Sequence, residues 1–146
     1  MALTPARAAL QRPEPEVLTL VGHEGPVKDA LLVDEGRHAL SWSLQGALEL
    51  WDLQRGQLLH TLAGHEDIVR ETIPLTTNVV LSRSDDRTLR LWDLNSGAQL
   101  ASYHADATIT AMAFSKPLGR IFAGDALGRI HLIQLNWPPS AERRRT

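Results

Sequence analysis

The 146-residue chain contains no cysteine, few aromatic residues and no long apolar run. Without cysteine it can form neither a disulfide framework nor a thiolate metal site, and a reducing compartment is compatible with its composition. No segment reaches the roughly 18 consecutive apolar residues that a membrane helix needs, and residues 1–16 lack the apolar core of a signal peptide. We therefore expect a soluble, cytoplasmic protein that does not associate with membranes.

The charges are nearly balanced, with a net charge of −2. Nucleic-acid-binding domains usually carry a basic face, so this balance argues against a nucleic acid as partner. The chain has neither a glycine-rich phosphate-binding motif nor a pair of histidines at the spacing of a helical metal site. We therefore expect no cofactor and no bound metal.

A repeat of about 41 residues organises the chain. The pairs Trp51-Asp52 and Trp92-Asp93 are 41 residues apart, and Ile133 lies a further 41 residues along. Gly-His pairs at 22–23 and 64–65 repeat at nearly the same distance. Such self-similarity is the sequence signature of repeat architectures. The predicted organisation is a flexible leader or linker at 1–16, three repeats at about 17–56, 57–97 and 98–136, and a disordered tail at 137–146.

Each repeat has the pattern of four short strands. The runs are rich in β-branched residues and leucine and are bounded by Gly, Asp, Asn or Pro, and no helix is predicted after Glu16. An antiparallel, all-β repeat protein is therefore predicted. The predicted strands are 17–21, 27–33, 38–43 and 47–53, then 57–62, 68–75, 78–84 and 88–94, then 98–104, 108–114, 120–124 and 128–135.

The repeated motif resembles the WD40 repeat family of β-propellers. Gly-His is followed after about 27 residues by Trp-Asp, and a Ser-Asp-Asp-x-Thr turn precedes the second Trp-Asp. The resemblance covers about residues 17–135 and implies three antiparallel, four-stranded WD40-type propeller blades. The third repeat also resembles the divergent last repeat of WD40 arrays in large bacterial signalling ATPases.

The polar cluster between Ser82 and Trp92 has two possible roles. Ser, His and Asp together can make a hydrolase, but Ser82 lies within an apolar run rather than on the sharp turn of a nucleophile elbow. The resemblance implies instead a buried, hydrogen-bonded chain, so we expect a structural role and no enzyme activity. The implied members are His65, Ser82, Asp86 and Trp92 in the second repeat and His23, Ser41 and Trp51 in the first.

The other repeats depart from this pattern. The first has Gln45 at the position of the turn aspartate, so its chain is either incomplete or closed by the Gln45 amide. The third has Ala123, Leu127 and Ile133 in place of Ser, Asp and Trp. We therefore expect the third blade to depend on apolar packing and to be the loosest, and the second blade to be the most rigid.

Three blades are fewer than the roughly four to eight of a closed propeller. Blades are apolar on both faces, so an open array exposes two apolar faces. Strand 17–21 is then spare, while the last blade lacks an outer strand. Three arrangements stay open: part of a longer array, two chains that close a six-bladed ring by exchanging strands, or a monomeric wedge.

The resemblance implies a non-catalytic scaffold that binds a protein or peptide partner through its loops. The alternatives are a C-terminal sensing or assembly domain of a larger bacterial signalling ATPase, and a head-to-tail homo-oligomer. Interface hot spots favour Trp and Arg, although Trp42 can equally belong to the core. The candidate partner-binding residues are Glu24, Lys28, Trp42, Asp67, Arg70, Arg83, Asp85 and Arg87.

Overall fold

The computed structural model describes residues 15–136, and within them every regular element except one single-turn 3-10 helix, Asp34–Gly36, is a β-strand. The strands follow one another through short turns, as the spacing of Gly, Asp and Asn predicts. They are β1 (Val27–Val33), β2 (His38–Ser43), β3 (Leu48–Asp52), β4 (Gln57–Leu62), β5 (Val69–Pro74), β6 (Val79–Ser84), β7 (Thr88–Asp93), β8 (Gln99–His104), β9 (Ile109–Ser115), β10 (Arg120–Asp125) and β11 (Ile130–Gln134).

These strands form three antiparallel sheets. Their orders are β1-β2-β3-β4, β5-β6-β7-β8 and β11-β10-β9, which we call blades 1, 2 and 3. The prediction of antiparallel, all-β propeller blades is confirmed, with a third blade of three strands. Each blade begins one strand later than its sequence repeat, because β4 and β8 open the second and third repeats but close blades 1 and 2.

The prediction of a strand at 17–21 is wrong for the single chain. Residues 15–26 form no strand, and Val17 and Val21 are 81% and 86% exposed. A strand requires a hydrogen-bonded neighbour, and blade 1 already takes its fourth strand from β4. Leu18 and Leu20 instead lie over Gly56. The predicted tail at 137–146 and most of the predicted leader, residues 1–14, lie outside the described residues.

An apolar core lies between each pair of adjacent blades. One face of blade 2 packs on blade 1, and the opposite face packs on blade 3. A fully buried leucine contributes about 2 kcal/mol, so blade 2 gains from burial on both faces. The main contributors are Leu40, Leu48, Leu50, Val80 and Trp92 in the first core, and Leu81, Leu89, Leu91, Ile109 and Ile121 in the second.

Candidate functional site

A chain of buried side chains crosses blade 2. The indole Nε1 of Trp92 donates to Ser82 Oγ at 2.9 Å, and Ser82 Oγ lies 2.6 Å from His65 Nε2. His65 Nδ1 lies 3.0 Å from Asp86 Oδ2. One proton arrangement satisfies every group: Ser82 donates to Nε2, and the Nδ1–H of His65 donates to Asp86. The structure thus brings together the four residues that the sequence predicted for this blade.

Asp86 anchors this chain as an ionised carboxylate. It also accepts hydrogen bonds from Thr88 Oγ1 at 2.6 Å and from the backbone N–H of Glu66 at 2.9 Å. Burial favours a raised pKa, but these hydrogen bonds and that of His65 outweigh it and lower the pKa of Asp86 to about 2. Burial lowers the pKa of His65, against the opposing effect of Asp86. At neutral pH the chain therefore pairs a neutral imidazole with a carboxylate.

The same geometry is unsuited to nucleophilic catalysis. A nucleophile must reach its substrate, and Ser82 is 0% exposed. Its hydroxyl is committed to the indole of Trp92 and the imidazole of His65. The arrangement can stiffen the blade, because a fully paired buried network specifies one side-chain arrangement.

Blade 1 contains a shorter version of this chain. Ser41 Oγ accepts from Trp51 Nε1 at 2.8 Å and lies 2.6 Å from His23 Nε2. Gln45 does not close it, because the Gln45 side chain is exposed and lies beside Gly25. The three predicted residues of the first repeat therefore form hydrogen bonds with one another, but the turn residue Gln45 does not complete their chain.

Glu49 supplies the carboxylate in blade 1, a residue that the sequence reasoning missed. Its Oε1 lies 3.4 Å from His23 Nδ1, and Glu49 is 6% exposed. In blade 2 the equivalent position, 41 residues along, is Arg90. An acidic residue inside the otherwise apolar run of β3 was the available signal.

Blade 3 has the apolar packing that was predicted for it, and it also contains a polar network that the prediction did not include. His131 Nε2 lies 2.8 Å from Asp125 Oδ2, and Tyr103 Oη lies 2.8 Å from His131 Nδ1. Arg129 donates from Nε to Asp125 at 2.8 Å and also pairs with Asp106. The hydrogen bond from His131 and those from Arg129 hold the pKa of Asp125 well below its usual range. The network was missed because these polar residues occupy positions other than Ala123, Leu127 and Ile133.

The charged turns of blade 2 are partly paired with one another. Arg70 Nε donates to Asp85 Oδ1 at 2.9 Å, and a second nitrogen reaches Oδ2 at 2.5 Å. This bidentate pair lowers the pKa of Asp85 and raises that of Arg70. Arg83 is also engaged, because it donates to Glu71 at 2.8 Å and to the backbone oxygen of Ile109 at 3.1 Å. Arg83 thereby joins blade 2 to blade 3.

The remaining candidates divide by exposure. Glu24, Lys28, Asp67 and Arg87 are exposed. Trp42 is 2% exposed and belongs to the first core, so of the two readings of this residue the structure favours core packing over partner binding. No three His, Asp or Glu side chains within residues 15–136 are grouped to hold a metal ion, and no helix of that region has the length and apolarity to span a membrane.

Comparison with known protein families gives one family match. The family model for the TEP-1 C-terminal β-propeller matches residues 65–137, which is half of the chain. The chain belongs to this family. It is a WD40 repeat protein, in agreement with the resemblance of the Gly-His and Trp-Asp motifs.

Relatives and solved structures agree with this assignment. The WD40 chain is 26% identical to autophagy-related protein 16 of Arabidopsis thaliana, covering 80% of this chain and 23% of that protein. It is 27% identical to a ribosome biogenesis protein WDR12 homologue of Ixodes scapularis, covering 88% of this chain and 25% of that protein. The chain thus spans about a quarter of the length of these curated relatives.

Two solved structures match most of the chain with similar TM-scores. The computationally designed Ika4 protein matches with a TM-score of 0.70 and 29% identity, covering 82% of this chain and 72% of that one. The C-terminal WD40 domain of Sif2 matches with a TM-score of 0.68 and 25% identity, covering 77% of this chain and 32% of that one.

Proposed function

We propose that this WD40 chain is a non-catalytic cytoplasmic scaffold that binds a protein partner through the β6–β7 turn of blade 2. The family assignment supports a scaffold, and the burial of Ser82 supports the absence of hydrolytic chemistry. The observation that carries the choice of surface is the backbone of Arg87.

Arg87 occupies a left-handed position that the other two blades give to glycine. Its φ is 71°, and the equivalent Gly46 and Gly128 have φ of 88° and 84°. A side chain in this region costs about 1 kcal/mol relative to glycine. The turn therefore holds an exposed guanidinium at a conformational cost, and arginine is a preferred interface residue. The Arg70–Asp85 pair lies in the same turn region and extends the charged surface.

Quantitative capture of partners from a lysate tests this surface. We compare the wild type with Arg87→Gly, and with Arg55→Ala as a control that removes an exposed arginine from the β3–β4 turn. We expect Arg87→Gly to reduce capture of the same protein at least about tenfold, equivalent to 1.4 kcal/mol, while remaining folded. Equal capture by Arg87→Gly and wild type contradicts the proposal, as does a specific hydrolysis that Ser82→Ala abolishes in a folded protein.

We also propose that two chains associate head to tail, because the free face of blade 3 has the composition of an internal interface. Leucines at three positions of blade 2 are 1–6% exposed where they meet blade 3. The equivalent apolar residues of blade 3 are 45–64% exposed. The pairs are Leu81 and Phe122, Leu89 and Ile130, and Leu91 and Leu132.

The opposite end of the array has a matching free face. Val69 and Leu94 of blade 2 are 0% and 6% exposed against blade 1, whereas the equivalent Val27 and Leu53 of blade 1 are 58% and 40% exposed. Exposed apolar patches of this kind mark association surfaces. Residues 17–21 would then supply the outer strand beside β11 of a second chain.

Light scattering on a size-exclusion column tests this association. We expect twice the 16.1 kDa chain mass for the wild type and a monomer for Leu132→Glu. Leu127→Glu is the matched control, because Leu127 is 69% exposed but lies on a turn outside the face. A wild-type monomer at all concentrations overturns the association. The remaining arrangement is then part of a longer array. The C-terminal domain of a bacterial signalling ATPase is one such case, and nucleotide-binding sequence in the same gene would identify it.

A further inference from the structure

Blade 1 has a pocket of about 280 Å³ beside Glu49. Small-molecule sites usually measure roughly 300–1,000 Å³, so this pocket has the size for one side chain. Its walls are mostly oxygen-bearing and include two carboxylates. The polar residues that line it are His23, Glu24, Ser43, Gln45, Glu49 and Thr61.

The carboxylate of Glu49 lacks a partner suited to its burial. Glu49 is 6% exposed, and its Oε1 is buried without a hydrogen bond to any described residue. Its nearest cationic candidate is His23 Nδ1 at 3.4 Å, beyond the roughly 2.7–2.9 Å of a charge-assisted hydrogen bond. A buried charge is stable only when it is paired and hydrogen-bonded.

Blade 2 shows which group fits this space. Arg90 occupies the position equivalent to Glu49, and its guanidinium lies over Gly64 as the carboxylate of Glu49 lies over Gly22. Its NH1 donates to Gln99 Oε1 at 2.8 Å, and its Nε donates to a neighbouring hydroxyl at 3.2 Å. The same site in the second blade is therefore filled by a hydrogen-bonded guanidinium.

Three substitutions open this site in blade 1. Glu49 replaces Arg90, so the guanidinium is lost and a carboxylate takes its place. The other two place Gln45 where blade 2 has Asp86, and Ala47 where it has Thr88. Together these changes take the site from a paired cation and anion to a single anion, and they remove the guanidinium that fills the equivalent space.

We propose that this pocket binds the guanidinium of an arginine side chain on the partner protein. The inference rests on the proposed scaffold function and names the chemistry of one contact. A guanidinium offers five donors in a plane and can form two parallel hydrogen bonds with one carboxylate. Glu49 supplies the carboxylate, and the side-chain oxygens of Gln45 and Thr61 are further acceptors. Glu24 adds a second negative charge to the lining.

Amide NMR of the full chain tests this with Nα-acetyl-argininamide as the probe. We expect saturable shifts of the amides of Gly22, Glu24 and Gln45, and binding at least tenfold weaker for the neutral citrulline analogue. Glu49→Gln should abolish the shifts, and the fold should persist because a buried unpaired charge is removed. Glu66→Gln, in the equivalent loop of blade 2, should bind as the wild type does.

Three outcomes overturn the pocket: no saturable shifts, equal binding of the citrulline analogue, or unchanged binding by Glu49→Gln. Equal binding of Nα-acetyl-lysinamide overturns the specificity for a guanidinium and indicates a general cation site. The variant Gln45→Asp with Ala47→Thr and Glu49→Arg rebuilds the blade 2 arrangement and should fold while losing probe binding. Failure here leaves the capture test of Arg87 intact, and failure of that test leaves a pocket that binds free arginine compounds.

Discussion

His131 Nε2 lies 2.8 Å from Asp125 Oδ2 on the neighbouring strand of blade 3, and this pair is the centre of its polar network. Tyr103 reaches the other imidazole nitrogen at 2.8 Å from β8 of blade 2. The two ring centroids are 5.6 Å apart in an edge-to-face arrangement. One imidazole therefore holds a buried carboxylate and ties two blades together.

Replacing His131 should loosen blade 3. We expect His131→Ala to lower the free energy of unfolding by about 1–3 kcal/mol, because Asp125 loses a donor, and Tyr103→Phe to lower it by about 1 kcal/mol. Urea denaturation measures both, and hydrogen exchange should localise the change to β9, β10 and β11. His104→Ala, which removes an exposed histidine from β8, should have little effect. An equal loss in His104→Ala would show that the network has no special role.

The hydrogen-bonded chain in blade 2 should contribute more to the stability of the protein than the one in blade 1. We expect Ser82→Ala to lower the melting temperature by several degrees, since it leaves Trp92 and His65 unpaired at a cost of about 1–3 kcal/mol. Ser41→Ala should cost less, because its chain ends in the 3.4 Å contact between His23 and Glu49. Thermal melting checks the order, with the exposed Ser102→Ala as control. The reverse order contradicts this ranking.

Stability should fall in two steps as the pH is lowered. The folded pKa of His65 lies below 6.5, so the unfolded state binds the proton more readily and stability declines below about pH 6.5. The folded pKa of Asp86 is about 2 instead of 3.8, and the pKa of Asp125 is also held well below its usual range. The contributions of both carboxylates are therefore present above pH 3.8 and are lost as the pH falls to about 2 and below. Melting temperatures across this range measure both steps. His65→Asn should remove the upper one, and an unchanged upper step would assign it to another group.

Arg87→Gly should stabilise the chain while it weakens partner capture. We expect a gain of about 0.5–1 kcal/mol, because glycine adopts the left-handed conformation without steric cost. Gly128→Ala is the reciprocal control. An added Cβ has no neighbour within 4 Å, so the stability that this variant loses reports the backbone cost alone. Chemical denaturation measures both variants. A destabilised Arg87→Gly would mean that the arginine side chain supports the turn.

The 41-residue period predicted the strands from Val27 onward because alternation and turn residues are local properties. It did not predict the state of 17–21, since a strand also needs a neighbour that local sequence does not supply. The resemblance pointed to the residues from His65 to Trp92. It missed Glu49, Asp125 and His131, because each blade places its charged partner differently.

Alignment of the three repeats contains a signal for those residues. Positions 49, 90 and 131 follow one another at the repeat period and are Glu, Arg and His. All three lie within strands whose neighbouring residues are mostly apolar. A polar residue at one spot in every copy indicates a site that each blade satisfies by its own means.

The charge at this repeated position makes the three blades electrostatically different from one another. Around the three blades this position carries an anion at Glu49, a cation at Arg90 and an imidazole at His131, although the backbone beneath them repeats. A propeller built from identical blades would look the same to a charged molecule at each rotation. Here the charge at this position differs from blade to blade, so we expect a partner with charges of both signs to be oriented toward one rotational setting before contact.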